Sequence, residues 1–208
     1  MLTITKSSLP SWRNFVKMIL PVVMLSIALP ATAAGIVTDV DASKISKSRA
    51  TPLGLYLSPV AAHKALTEDP DILYVDVRDP IELSFIGHAK GMDKNIPIRI
   101  ASHKLNPKSG TYQLVPNPNF LAEMDALVKS QGRTKDDTLF VSCRSGPRSA
   151  AAARLLIKAG YTDVWNLLEG FEGSLNADGV RAKNGWRNAG LPWEYKLTTK
   201  TAWTPLAK

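Results

Sequence analysis

The sequence predicts an α/β fold, a parallel sheet with helices on both faces, and three observations predict it. Residues 72–77, 138–142 and 164–167 are short apolar runs rich in β-branched or aromatic side chains, the pattern of strands buried on both sides. The segments between them carry helical spacing and helix-end signals. No internal repeat is visible, and strands alternating with helices imply one parallel sheet. In such sheets the ligand site lies beyond the carboxyl ends of the strands.

The elements follow in order. Ser58 and Pro59 form an N-cap and first-turn pair for a helix to about Thr67, and Asp69, Pro70 and Asp71 end it. Residues 72–77 are the first buried strand. Residues 80–85 predict a short helix closed by Gly87 and His88, and 92–96 a second short strand. Prolines, a glycine and lysines mark 98–117 as a surface loop. Asn119 is placed to cap a helix over 120–130, where Leu121, Met124, Leu127 and Val128 share one face. Strand 138–142 runs into a turn at 143–148. An alanine-rich helix over 149–159 follows, stopped by Gly160. After strand 164–167, residues 172–184 read as a polar loop, 185–191 as one last helical turn before Pro192, and 196–208 as a loose tail. Residues 34–54 show no clear period and read as an extended lead-in, so the domain proper spans 55–195.

Residues 1–33 read as a signal peptide. Lys6, Arg13 and Lys17 form its positive start, residues 18–29 are uncharged, and Ala31, Thr32 and Ala33 supply the small residues of a cleavage site. The apolar run is shorter than the roughly 20 residues a spanning helix needs, so no stable membrane insertion is expected after cleavage. A periplasmic or secreted location follows. The leader holds three cations and no anion, so its removal takes the net charge from +8 to +5. The remaining cations are scattered, which argues against nucleic-acid binding and fits an attraction for small anions. With 45% hydrophobic and 21% charged residues, the composition is that of an ordinary globular chain. The histidines are isolated and there is one cysteine, so no metal cluster and no cofactor are expected. Exported proteins use cysteines in pairs, so a lone one is a liability unless its thiol is used.

That cysteine opens the turn Cys143, Arg144, Ser145, Gly146, Pro147, Arg148, set between a strand and a helix. The first amide groups of a helix lack internal partners and, with the helix dipole, stabilise an anion in such a turn. A cysteine there is expected as a thiolate. Arg144 and Arg148 add planar donors suited to oxyanions. Gly146 allows a left-handed or close-approach backbone, and Pro147 stiffens the turn.

This loop, continued by Ser149, resembles the active-site loop of the rhodanese family. Tyr74, Val75, Asp76, Val77, Arg78, Asp79 and Pro80 resemble the family's first strand end. The turn from Gly87 and His88 to Met92 is similar to a second signature. Gly160 with Tyr161, and Asn166 through Gly170, resemble the segments after the active-site helix, and Gly190, Leu191 and Pro192 the usual terminus. The resemblance covers roughly 55–195. It implies a five-stranded parallel sheet flanked by helices and sulfane-sulfur transfer through a Cys143 persulfide. The donor implied is a small sulfur-containing anion such as thiosulfate, and the acceptor cyanide or a thiol, including a protein thiol. By the same resemblance residues 144–149 bind substrate: the loop amides hold the persulfide, and Arg144 and Arg148 hold the donor's sulfonate. Asp76, Arg78 and His88 are structural support. Phosphatases and arsenate reductases of this fold have five residues between cysteine and arginine. Four stand here, a smaller ring better suited to sulfur, so those activities rank below sulfur transfer. A different class also fits: a sulfur carrier or protein-docking module without turnover, which the loops 98–117 and 172–184 and the tail would serve.

The bland readings are specific. Arg148 could form an ion pair with a carboxylate such as Asp76, and Arg144 could point to solvent. His63 and His103 are expected on the surface. Trp165, Trp186, Trp193 and Trp203 are expected to pack the core or cover the sheet edge.

Overall fold

The computed structural model describes residues 35–206. The expected signal peptide lies outside the described residues. Strands β1 (Tyr56–Leu57), β2 (Leu73–Asp76), β4 (Lys94–Asn95), β7 (Leu139–Ser142) and β8 (Val164–Leu167) form one five-stranded sheet in the order β1, β8, β7, β2, β4, and every pairing is parallel. Every residue of β2, β7 and β8 is buried, as their continuous apolar runs require.

Alternate side chains feed two cores. Leu73, Val75, Leu139, Val141 and Val164 pack with α3 (Phe120–Ser130) and α4 (Pro147–Lys158). Tyr74, Phe140, Trp165 and Leu167 face the other way, onto α1 (Pro59–Glu68) and α2 (Pro80–Ile86). Helices therefore cover both faces. Ser58 caps α1 through its hydroxyl, and Asp79 caps α2 through its carboxylate, each ahead of a proline in the first turn. Asn119 sits at the cap position of α3 without a side-chain hydrogen bond.

Three expectations need correction. Residues 98–117 are not a loop but an antiparallel hairpin of β5 (Arg99–Asn106) and β6 (Thr111–Pro116). Pro107 falls in its turn and Pro116 at its end, where neither breaks the ladder. Residues 185–191 do hold the single helical turn expected, closed by Ala189 N donating to Gly185 O at 2.9 Å. The tail from 196 is tied down through residue 206: Thr201 O accepts from Asn95 N at 2.8 Å, and the Trp203 indole donates to Glu123 at 3.0 Å. Edge strand β4 has an unpaired N–H to satisfy, and the tail supplies the acceptor. A second antiparallel pair, β3 (His88–Ala89) with β9 (Trp193–Glu194), closes the other core. Trp165 and Trp186 are buried in that core, and Trp193 packs against it. His63 is half-buried and edge-on to Trp186, with ring centroids 5.4 Å apart, rather than on the surface. His103 is exposed. Among the described residues no helix is long and apolar enough to cross a membrane.

Candidate active site

Cys143 follows β7 directly at the carboxyl end of the central strand, and α4 begins four residues later at Pro147. The helix thus starts two residues earlier than its alanine run suggests. The peptide groups of this turn are oriented one by one. Phe171 N donates to Cys143 O at 2.8 Å, and Glu172 N and Gly173 N donate to Arg144 O at 2.9 and 3.1 Å. The Arg49 Nε donates to Ser145 O at 2.9 Å. In a trans peptide the next residue's N–H points opposite the carbonyl. Drawing these three carbonyls outward therefore turns the amides of Arg144, Ser145 and Gly146 inward. The Gly146 amide reaches Cys143 Sγ at 3.1 Å. Those of Arg144 and Ser145 have no acceptor among the described residues. Ser149 Oγ lies 3.4 Å from the same sulfur and 2.9 Å from Gly146 O, so its single proton can serve either.

Gly146 has φ 103°, and a Cβ there would strike Leu168 O. Only glycine allows the chain to turn here and α4 to start behind the sulfur. Cys143 is 1% exposed and free. Pro147 is exposed at the first helical position, where its missing N–H costs nothing.

The two arginines of the turn are both held by carboxylates. Arg148 does not pair with Asp76. It grips Glu82 on α2 with both terminal nitrogens, at 2.5 and 2.8 Å. Burial pushes the Glu82 carboxyl up, but the hydrogen bonds and charge of Arg148 outweigh it and hold the group below the ordinary carboxylate range. Arg148 is raised although burial opposes its charge, because Glu82 stabilises it. Arg148 therefore stands in an ion pair rather than free for a donor. Arg144 donates through Nε to Glu172 at 2.5 Å, with its side chain 41% exposed. It is anchored, not loose in solvent.

Behind the turn, Asp76 and Arg78 form a buried pair: Arg78 Nη2 donates to Asp76 at 2.7 Å, and Arg78 N to the same carboxylate at 2.9 Å. Arg78 also donates to Gly87 O at 2.9 Å and lies over the Phe171 ring, 4.6 Å from its centroid. Phe171 is the residue whose amide holds Cys143 O, so this pair supports the loop from beneath. His88 is buried, its Nδ1 3.1 Å from Ala89 O, and no contact links it to the sulfur among the described residues.

Sequence reasoning missed Arg49, Glu82 and Glu172. Arg49 sits in the lead-in, whose lack of period gave no sign that it docks on the loop. A cavity of about 350 Å³ lies beside Arg49, lined by Asp39, Asp41, Glu169 and Asn184 among others, and Cys143 does not line it. Among the described residues no group of side chains could hold a metal ion.

A model of the rhodanese-like domain matches residues 59–177, which includes strands β2, β4, β7 and β8 of the sheet and the whole Cys143 turn. The chain belongs to the rhodanese-like domain family. This rhodanese-like domain is similar to an uncharacterized protein of Rickettsia prowazekii (strain Madrid E), 29% identical over 134 residues that cover 64% of this chain and 92% of that one. Thiosulfate sulfurtransferase 16, chloroplastic, of Arabidopsis thaliana is 31% identical over 119 residues, 57% of this chain and 77% of its own. The crystal structure of Rv0390 from M. tuberculosis superposes with a TM-score of 0.53 at 33% identity, covering 68% of this chain and 97% of that one.

Proposed function

We propose that this rhodanese-like domain is a sulfurtransferase that moves sulfane sulfur from a small anionic donor such as thiosulfate to a nucleophilic acceptor through a persulfide on Cys143. The observation that carries the reading is the turn itself, with Cys143 Sγ at the end of the central strand and the Gly146 amide at 3.1 Å. The inward amides of Arg144 and Ser145 are ready to meet added negative charge. The similarity to a thiosulfate sulfurtransferase supports the donor class.

In the first step the Cys143 thiolate attacks the outer sulfur of thiosulfate. The bond between Sγ and that sulfur forms, the donor's S–S bond breaks, and sulfite leaves with the electron pair. The persulfide anion keeps the negative charge that the thiolate brought, so charge balances. In the second step cyanide or a thiolate takes the outer sulfur, the persulfide bond breaks, and the thiolate returns. This is covalent catalysis with two half-reactions and needs no general base. It matches a site where the buried histidine stands apart. Removal of a leader at residues 1–33 would place the protein in the periplasm or outside the cell, and the sequence of that segment supports this.

Steady-state turnover of thiosulfate and cyanide tests the reading. Thiocyanate should form with the parallel-line pattern of a double displacement, and Cys143→Ser should abolish it. Turnover that survives in Cys143→Ser would refute the persulfide route.

A further inference from the structure

Segment 172–184 begins at the active-site turn. Its first side chain, Glu172, is 7% exposed yet charged, and it accepts from Arg144 Nε at 2.5 Å and from Arg187 Nη2 at 3.3 Å. Arg187 is pinned. It lies over Phe171 and Trp193 and donates through Nη1 to Ile86 O at 3.2 Å. Arg144 is the open member of the cluster. Its Nε is occupied, and both its terminal nitrogens lack an acceptor among the described residues. A guanidinium held by Nε offers its remaining donors as one planar edge, the geometry that takes two oxygens of an oxyanion at once. A second cation comes from the same segment. Arg181 is half-buried and donates through Nη1 to Gly173 O at 2.5 Å. Its protonation is opposed by burial first and then by the nearby charge of Arg144, so the two guanidinium groups share one local field. One buried carboxylate against three arginines leaves that field positive.

We propose that Glu172 is the positioning residue of an oxyanion subsite at the rim of the Cys143 turn, in which Arg144, with Arg181 as second cation, receives the sulfonate end of the donor. The subsite rests on the sulfurtransferase reading and narrows it. The preferred donors are small oxyanions that carry sulfane sulfur next to a tetrahedral charged group, and an uncharged polysulfane gains nothing from it.

Thiosulfate binding to the full chain carrying Cys143→Ser, measured by calorimetry, tests the subsite without sulfur transfer. Adding Glu172→Gln should raise Kd about tenfold, the effect of losing an oriented charge-assisted contact. Adding it to an Arg144→Ala background should change Kd by less than about twofold, since the two act as one unit. Arg144→Lys, at a half-buried position, keeps the charge but cannot serve Glu172 and the donor together, and should also weaken binding about tenfold. Undiminished binding in Glu172→Gln or Arg144→Lys, an equal loss with and without Arg144, or no thiosulfate binding to the Cys143→Ser parent would each overturn the subsite. Normal binding behaviour with no thiocyanate from the wild type would instead sink the sulfurtransferase reading and leave the subsite standing.

Discussion

Segments 98–117 and 172–184 read alike in the sequence, polar and glycine-containing, and the structure uses them in opposite ways. No residue of β5 or β6 is buried. The hairpin is tied at its base, where Ala101 N donates to Asp79 at 2.6 Å and Asn117 N to Ile98 O at 3.0 Å. Segment 172–184 is stitched to the Cys143 turn. Its first two amides hold Arg144 O, and Asn188 gathers the carbonyls of Glu172, Arg181 and Asn184 at 2.9, 3.1 and 2.9 Å. Composition says only that a stretch is solvated. Function follows from where its two ends land, and here one pair of ends lands on the cysteine loop.

The comparison can be broken most sharply at two glycines with similar backbone. Gly173 has φ 75°, and a Cβ there would collide with the Asn184 backbone at the neck of its loop. Gly110 has φ 64° in the hairpin turn, and a Cβ there would meet nothing within 4 Å. Gly173→Ala should cost more than about 3 kcal/mol in urea denaturation and depress sulfur transfer with it, because strain and overlap add. Gly110→Ala should cost about 1 kcal/mol, the backbone term alone, and leave turnover intact. Equal costs would mean that the two segments are not built differently.

Between these extremes falls the ion pair of Glu82 and Arg148, which joins α2 to the turn. Glu82→Gln should cost about 2 kcal/mol at neutral pH, since it leaves a mostly buried guanidinium underpaired. The folded carboxyl titrates below its ordinary 4.5, so its contribution is complete above that pH and is lost as pH falls through the lowered value. Thermal melts should therefore converge for wild type and Glu82→Gln in acid and separate toward neutrality. A gap that does not change with pH would contradict the pairing. The smallest effect is expected at the hairpin tip. Replacing residues 104–111 with a tight two-residue turn should change stability by less than about 0.5 kcal/mol and leave thiosulfate turnover unchanged. A large loss of turnover would show that the hairpin reaches the site after all.

Much of this design is legible in the sequence, and for physical reasons. Strands β2, β7 and β8 announce themselves because burial on both faces demands continuous apolar runs. The start of α1 does so because Ser58 precedes a proline. The turn from Cys143 to Arg148 is local, so its spacing could be read directly. The hairpin escaped because both its faces are solvated, which removes the alternation that marks a strand. Arg49, Glu82 and Glu172 escaped because each reaches the turn from a remote part of the chain. Arg144 and Arg148 signalled a need for countercharge, but no local pattern says which carboxylate answers. Arg148 does form an ion pair, as the bland alternative expects, but the partner is Glu82 rather than Asp76, because Arg78 already occupies that carboxylate.

The central claim is that Cys143 carries the sulfur. Intact-mass spectrometry of the purified protein before and after thiosulfate tests it most directly, with Cys143→Ser as control. A gain of a single sulfur atom on the wild type alone, reversed by cyanide, is the predicted result. A gain on both proteins, or none with thiosulfate, polysulfide or persulfide donors, would contradict it.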